Sequence, residues 1–168
     1  MTLADKVEKR LASELLPGEH VVYGVLGFRT GGVRKTMVGG ALGIAGVAGA
    51  AAMGMATRRG GTDVPATALP LPGRFFVGLT AQRLLVFSIG GVFVGKPRKL
   101  LHAFALDRIV WMSEPELITG VAQALRVSFG MAGEGVLSFE FPRLQVADAR
   151  NMVNRIRHSL PDEQETTE

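Results

Sequence analysis

The chain has 168 residues, 47% of them hydrophobic, no cysteine and a formal charge of +4. That length supports one domain with appendages and its own core. The missing cysteines exclude a disulfide framework and any thiolate metal site, and fit a reducing cytosol. The net charge conceals an asymmetry: residues 1–35 hold six basic and four acidic groups, residues 36–113 eight and two, and residues 114–168 five and nine. A basic middle suits an anionic partner for one face, or a solvated face with none.

Leu3, Val7, Leu11 and Leu15 recur every four residues, Thr2 and Asp5 form a capping pair, and Pro17-Gly18 ends the pattern. An amphipathic helix is expected over 1–16. Its charges, Asp5, Lys6, Glu8, Lys9 and Arg10, stand where a signal peptide needs an apolar stretch, so a cytoplasmic protein is expected. HVVYGVLGF, residues 20–28, reads as a strand. Residues 29–73 then read as an insert, with a basic Gly-rich turn, a Gly/Ala run over 37–56 and the Pro-rich VPATALPLPG.

Past Gly73 the strand signals are dense. RFFVGLT and RLLVFSI flank a tight AQ turn, GGVFVGKP reads as a turn or short hairpin, and LLHAFAL and RIVWMS are strands split at Asp107. EPELITGVAQ reads as a loop, and LRVSFGM and GVLSFEF as a hairpin turning at residues 132–135. From Leu144 the period becomes helical, with Val146, Ala149, Met152, Val153, Ile156 and Leu160 on one side and Arg150, Asn154, Arg155 and Arg157 on the other. The acidic tail 161–168 reads as disordered. About seven short antiparallel strands must curl into a barrel or sandwich to hide their edges, and one amphipathic helix is the right size to close an open end.

GLTAQRLLVFS, Gly78 to Ser88, resembles the strand-turn-strand of bacterial pleckstrin-homology-like and GRAM-like domains, with its apolar-Thr-x-x-Arg-apolar pattern. LDRIVWMSEPE and ADARNMVNRIR stand where that family has its next strand and C-terminal helix, so the resemblance spans residues 17–160 without the insert. It implies a mainly β fold capped by a C-terminal helix, acting as a non-enzymatic binding module. The chain departs from the family in two ways: Trp111 falls on a strand, and the basic phosphoinositide signature of eukaryotic members is absent.

Chemical motifs fail on inspection. GGVFVGK, residues 90–96, matches a phosphate loop, but Pro97 stands where a magnesium-binding Ser or Thr is needed. Gly40, Gly43 and Gly46 have the wrong spacing for a dinucleotide loop. His20, His102 and His158 are far apart, and Ser88, Ser113, Ser128 and Ser138 lie within strands and not at a strained elbow. No catalytic residue, metal site or cofactor is expected.

As a helix, residues 37–56 would be about 30 Å long, near the thickness of a bilayer core. Val38, Leu42, Ile44 and Val47 contribute only roughly −1 to −2.5 kcal/mol to insertion. A single crossing would split one sheet across the membrane, so the surviving readings are a hairpin entering and leaving on one side, an interfacial helix, a helix packed on another copy, or a segment folded over its own domain. Gly39, Gly43, Gly46, Ala50 and Gly54 form a stripe of small residues suited to close helix packing. The family resemblance implies that the first and third hairpin loops lie on one open rim, where Arg29, Arg34, Lys35, Arg58 and Arg59 would be joined by Lys96, Arg98 and Lys99 of a later loop. The expected partner is an anionic membrane surface at the inner face; the alternative is a protein partner or a homo-oligomer formed through the stripe. Nucleic acid fits poorly, because no aromatic residues interleave these cations.

Overall fold

The computed structural model describes residues 2–30, 64–65, 67–90, 96–120 and 123–160. Within them, α1 (Leu3–Arg10) precedes β1 (Tyr23–Arg29), β2 (Arg74–Leu79), β3 (Arg83–Gly90), β4 (Lys96–Ala105), β5 (Ile109–Met112), β6 (Glu116–Ile118), β7 (Ala124–Met131), β8 (Gly135–Pro142) and α2 (Val146–Arg157). The Gly/Ala run 37–56, its stripe and the acidic tail lie outside the described residues.

All eight strands belong to one antiparallel sheet in the order β4-β3-β2-β1-β8-β7-β5, with β6 also pairing with β7. Because β5 and β6 occupy successive stretches of one neighbour, eight segments fill seven places. The segment read as a loop around Pro115 therefore contains a strand, β6, whose Leu117 stands opposite Leu125. Ser113–Pro115 is the interruption, since proline cannot donate to a ladder. The terminal strands β4 and β5 do not pair, so the sheet is an open sandwich and not a closed barrel. Four strands, a bend, three further strand positions and a final helix make up an antiparallel β-sandwich capped by a helix.

The bend lies in β1. It pairs with β2 from Tyr23 to Phe28, but with β8 only at Phe28 and Arg29. Where β8 veers away, the Leu26 amide donates to the Gln145 side chain at 3.2 Å, which replaces the lost strand partner. Between the two halves lies the core, with Phe75, Val77, Leu84 and Val86 from one side and Leu125, Val127, Phe129, Leu137, Phe139 and Phe141 from the other. Phe139 sits at the centre, 5.2 to 5.9 Å from the rings of Phe75, Phe129 and Phe141. Helix α2 adds Ala149, Met152, Val153 and Ile156 to this core, all with no exposed surface. At about 1.5–3 kcal/mol per large side chain, that burial outweighs the tenths of a kcal/mol set by helix propensity, so packing holds the helix.

The outer face of the first half is buried as well. Phe76, Leu85 and Phe87 point away from the core and are covered by Val7 of α1, by Leu11 at its C-terminal cap and by Val21. An eight-residue helix is unstable alone in water. Its capping box, in which Thr2 and Asp5 bond each other's amides at 3.1 and 2.6 Å, sets its start, and the sheet face beneath it supplies the rest. The helix is shorter than the 1–16 periodicity suggests, because the chain must turn after Leu11 to reach β1.

Residues 64–73 are not loose insert. Residues 64–65 and 67–73 pack against the sandwich as a strap. Val64 is buried against β7, Leu69 and Leu71 pack on the main core, and Ala68 bridges in parallel to Val136, with Val136 donating to Thr67 and Leu69 donating to Val136. The strap continues the sheet beside β8 just where β1 has ended, since Arg29 pairs no further along than Phe139. Gly135 makes this approach possible: its φ is +139°, and a Cβ there would fall 2.3 Å from the Thr67 carbonyl oxygen. Gly135→Ala is expected to cost about 1–3 kcal/mol, seen as a lower urea midpoint with an unchanged m-value. A wild-type midpoint would show that the strap is not held against β8.

Candidate functional site

Antiparallel registers bring one end of β1 through β4 together. Phe28 stands opposite Arg74, Phe75 opposite Ser88, and Gly90 opposite Lys96. Arg29, Arg74 and Lys96 thus mark the same end of three strands, and Arg98 and Lys99 follow along the fourth. All five are exposed. Thr30 and Gly90, the last described residues before 31–63 and 91–95, both stand at this end, because β1 and β3 finish there.

Of the eight cations expected to form a rim, Arg29, Lys96, Arg98 and Lys99 are therefore gathered at one end, while Arg34, Lys35, Arg58 and Arg59 lie outside the described residues. The loop assignment for the other three is corrected: Lys96, Arg98 and Lys99 belong to β4, an edge strand that begins as soon as the chain returns from β3. Arg74 was missed. It follows the Pro/Gly turn directly, and only the register with β1 shows that it joins Arg29. Arg98 leans over Gly90, where even a methyl group would collide with its side chain at 2.0 Å. Glu140, opposite Phe28, is bound by Arg126 at 2.8 Å.

The remaining polar motifs serve the fold. Thr80 and Arg83, the two fixed residues of the family-like pattern, form a clamp on Glu19. The Thr80 hydroxyl accepts from the amides of Gln82 and Arg83 at 3.1 and 2.9 Å, which closes the β2–β3 turn, and donates to Glu19 at 2.7 Å. Arg83 grips both carboxylate oxygens of Glu19 through Nε and Nη2 and also donates to the Glu14 carbonyl at 3.2 Å. The Glu19 side chain is only 2% exposed. The Arg83 hydrogen bond is the main cause holding its carboxyl down at about 2, aided by the Leu16 amide and Thr80.

The histidines have local partners. His20 meets Glu8 at 2.8 Å, His102 reaches the Pro70 carbonyl of the strap at 2.8 Å and stacks on Phe104, and His158 bonds the Asn154 carbonyl at the end of α2. Ser128 and Ser138 bond each other across β7 and β8 at 2.8 Å, Ser113 accepts from the Ser128 amide, and Ser88 accepts from the Lys99 amide. Among the described residues no group of three or more His, Asp or Glu could hold a metal, and no helix is long and apolar enough to cross a membrane.

No protein-family description matches the sequence, and no curated protein does. Among solved structures the chain is similar to a pleckstrin homology domain from Shewanella amazonensis SB2B, with 13% identity over 91% of this chain and 96% of that one and a TM-score of 0.46.

The clamp makes a pH prediction. A carboxyl depressed in the folded state stabilises fully above its unfolded value, near 4.5, and loses that contribution as pH falls through about 2. Wild-type unfolding free energy should decline across that window. Arg83→Met should lower stability at neutral pH by about 3–5 kcal/mol, because it strands a buried charge, and should flatten the acid dependence. Urea titrations from pH 7 to 2.5 read both.

Proposed function

We propose that the chain is a non-enzymatic binding module that associates peripherally with anionic membrane through the cationic end of its first four strands. One observation carries the reading: Arg29, Arg74, Lys96, Arg98 and Lys99 converge at the end from which the segment containing the Gly/Ala run departs. Each exposed cation near an anionic leaflet contributes about 1 kcal/mol, so the set supplies several without a specific pocket. Such attraction is screened beyond roughly 8 Å at physiological ionic strength and must weaken with salt. The apolar run between Arg34 and Arg59 adds the non-electrostatic part.

Vesicle flotation tests this reading. The full chain should float with vesicles containing phosphatidylserine and not with pure phosphatidylcholine, and 0.5 M salt should release it. Arg74→Gln combined with Lys96→Gln removes about 2 kcal/mol of attraction, a roughly 30-fold loss of partitioning, with the urea midpoint unchanged because both side chains are exposed. Equal binding to neutral vesicles, or no loss in the double variant, would overturn the proposal. A lipid-independent oligomer that Gly43→Leu disrupts would instead identify the small-residue stripe as a self-association surface.

A further inference from the structure

Strand β4 is the terminal strand of the sheet, and only one of its sides is used. It pairs with β3, and among the described residues its main chain makes no hydrogen bond from the other side. An unpaired edge is a template for another strand, and proteins normally blunt it with proline, lysine or bulges. The first part of β4 is blunted in this way. Pro97 sits there beside Lys96 and Lys99, and the register with β3 slips twice, between Val86 and Phe87 and between Phe87 and Ile89. The second part is not. From His102 to Ala105 the ladder with Val86 to Arg83 is regular, no proline interrupts it, and Leu101, Ala103 and Ala105 are exposed, Leu101 at 37%.

The charges within β4 itself have one sign, and the exposed Asp107 stands two residues beyond its end. Residues 96–105, KPRKLLHAFA, include three cations and no acid. Arg98 and Lys99 precede the open stretch, and Leu101 offers an apolar contact between Lys99 and His102. The other end of the sheet offers no such stretch: β5 has four residues with a register slip between Ile109 and Trp111, and β6 has three, begins with Glu116 and is cut off from β5 at Pro115.

We infer that the edge of β4 from His102 to Ala105, with Leu101 at the slip just before it, is a docking site for an extended acidic segment of a partner protein, which adds to the sheet as a further strand. Main-chain hydrogen bonds to β4 supply the pairing, an apolar side chain meets Leu101, and acidic side chains face Arg98 and Lys99. The site is separate from lipid binding in what it requires: a membrane needs the charges, whereas an added strand needs the free amides and carbonyls as well.

A capped heptapeptide of alternating Glu and Val serves as the test, with the full chain and without lipid. Hydrogen exchange should slow at the outward-facing amides within His102 to Ala105 when the peptide is present, and the effect should fade with salt. The same peptide N-methylated at every residue keeps its charge but cannot pair, and should bind about tenfold more weakly or worse. Lys99→Glu should weaken binding of the unmethylated peptide while leaving the urea midpoint in place, since Lys99 is exposed. Equal binding of the two peptides would overturn strand addition, and so would an absence of slowed exchange within His102–Ala105. If an alternating Thr and Val peptide binds as well as the acidic one, the assigned partner chemistry is wrong.

Discussion

Strand β1 carries the constraint on which the sandwich depends. It is shared between two halves that diverge, and two register pairs, Phe28 with Glu140 and Arg29 with Phe139, are its whole ladder with β8. A strand leaving its neighbour exposes main-chain donors that cannot stay unpaired inside a protein. The side chain of Gln145 answers this at Leu26, and the strap answers it on β8, where Thr67 and Leu69 take up both hydrogen-bonding groups of Val136. Helix α2 starts from one end of β8 and the strap crosses the other. The two closures are therefore consequences of one bend, and the core around Phe139 exists because both are in place.

This view separates scaffold from site. The Thr80 and Arg83 pair looks functional by its chemistry, a charged residue fixed near a turn, yet its geometry is that of a clamp that fastens the segment before β1 to the β2–β3 turn. The cationic end shows the reverse. All five of its cations are exposed, and its meaning comes only from where four strands begin and end. Some of the same charges also keep a terminal strand soluble: Lys96, Lys99 and Pro97 are what an edge requires whether or not a partner ever meets it. A blunted edge beside an open one explains why the strand can be both protected and selective.

Much of the fold was legible in the sequence, because its signals are local. The continuous apolar runs in RFFVGLT and RLLVFSI and the helical spacing of Ala149, Met152, Val153 and Ile156 report residues that must be buried, and they are, while residues 132–135 mark the turn between two such strands. What the sequence did not reveal depends on pairing across distance. Leu117 and Ile118 have too short a run to signal a strand and become one only beside β7. The strap resembles a proline-rich linker until Val136 is set next to it. Lys96 and Pro97 look like turn residues because proline rarely sits in a ladder, and the exception for edge strands requires knowing that β4 is the edge. Arg74 reached the cationic end by register alone, which no single segment encodes.

The shared strand also sets the order in which the chain can become a protein. β1 meets β2 and β3 early in synthesis, and α1 can cover their outer face at once, yet the inner residues Phe75, Val77, Leu84 and Val86 have no cover until β7, β8 and α2 have left the ribosome. The length of the intervening segment hardly matters to the final closure, since doubling a loop costs only about 0.6 kcal/mol. Waiting time matters more. At roughly 5–20 residues per second, the apolar inner face of the first half stays open for several seconds while the rest of the chain is made, so a nascent chain stalled before β7 would present a sticky half-sandwich to the cell.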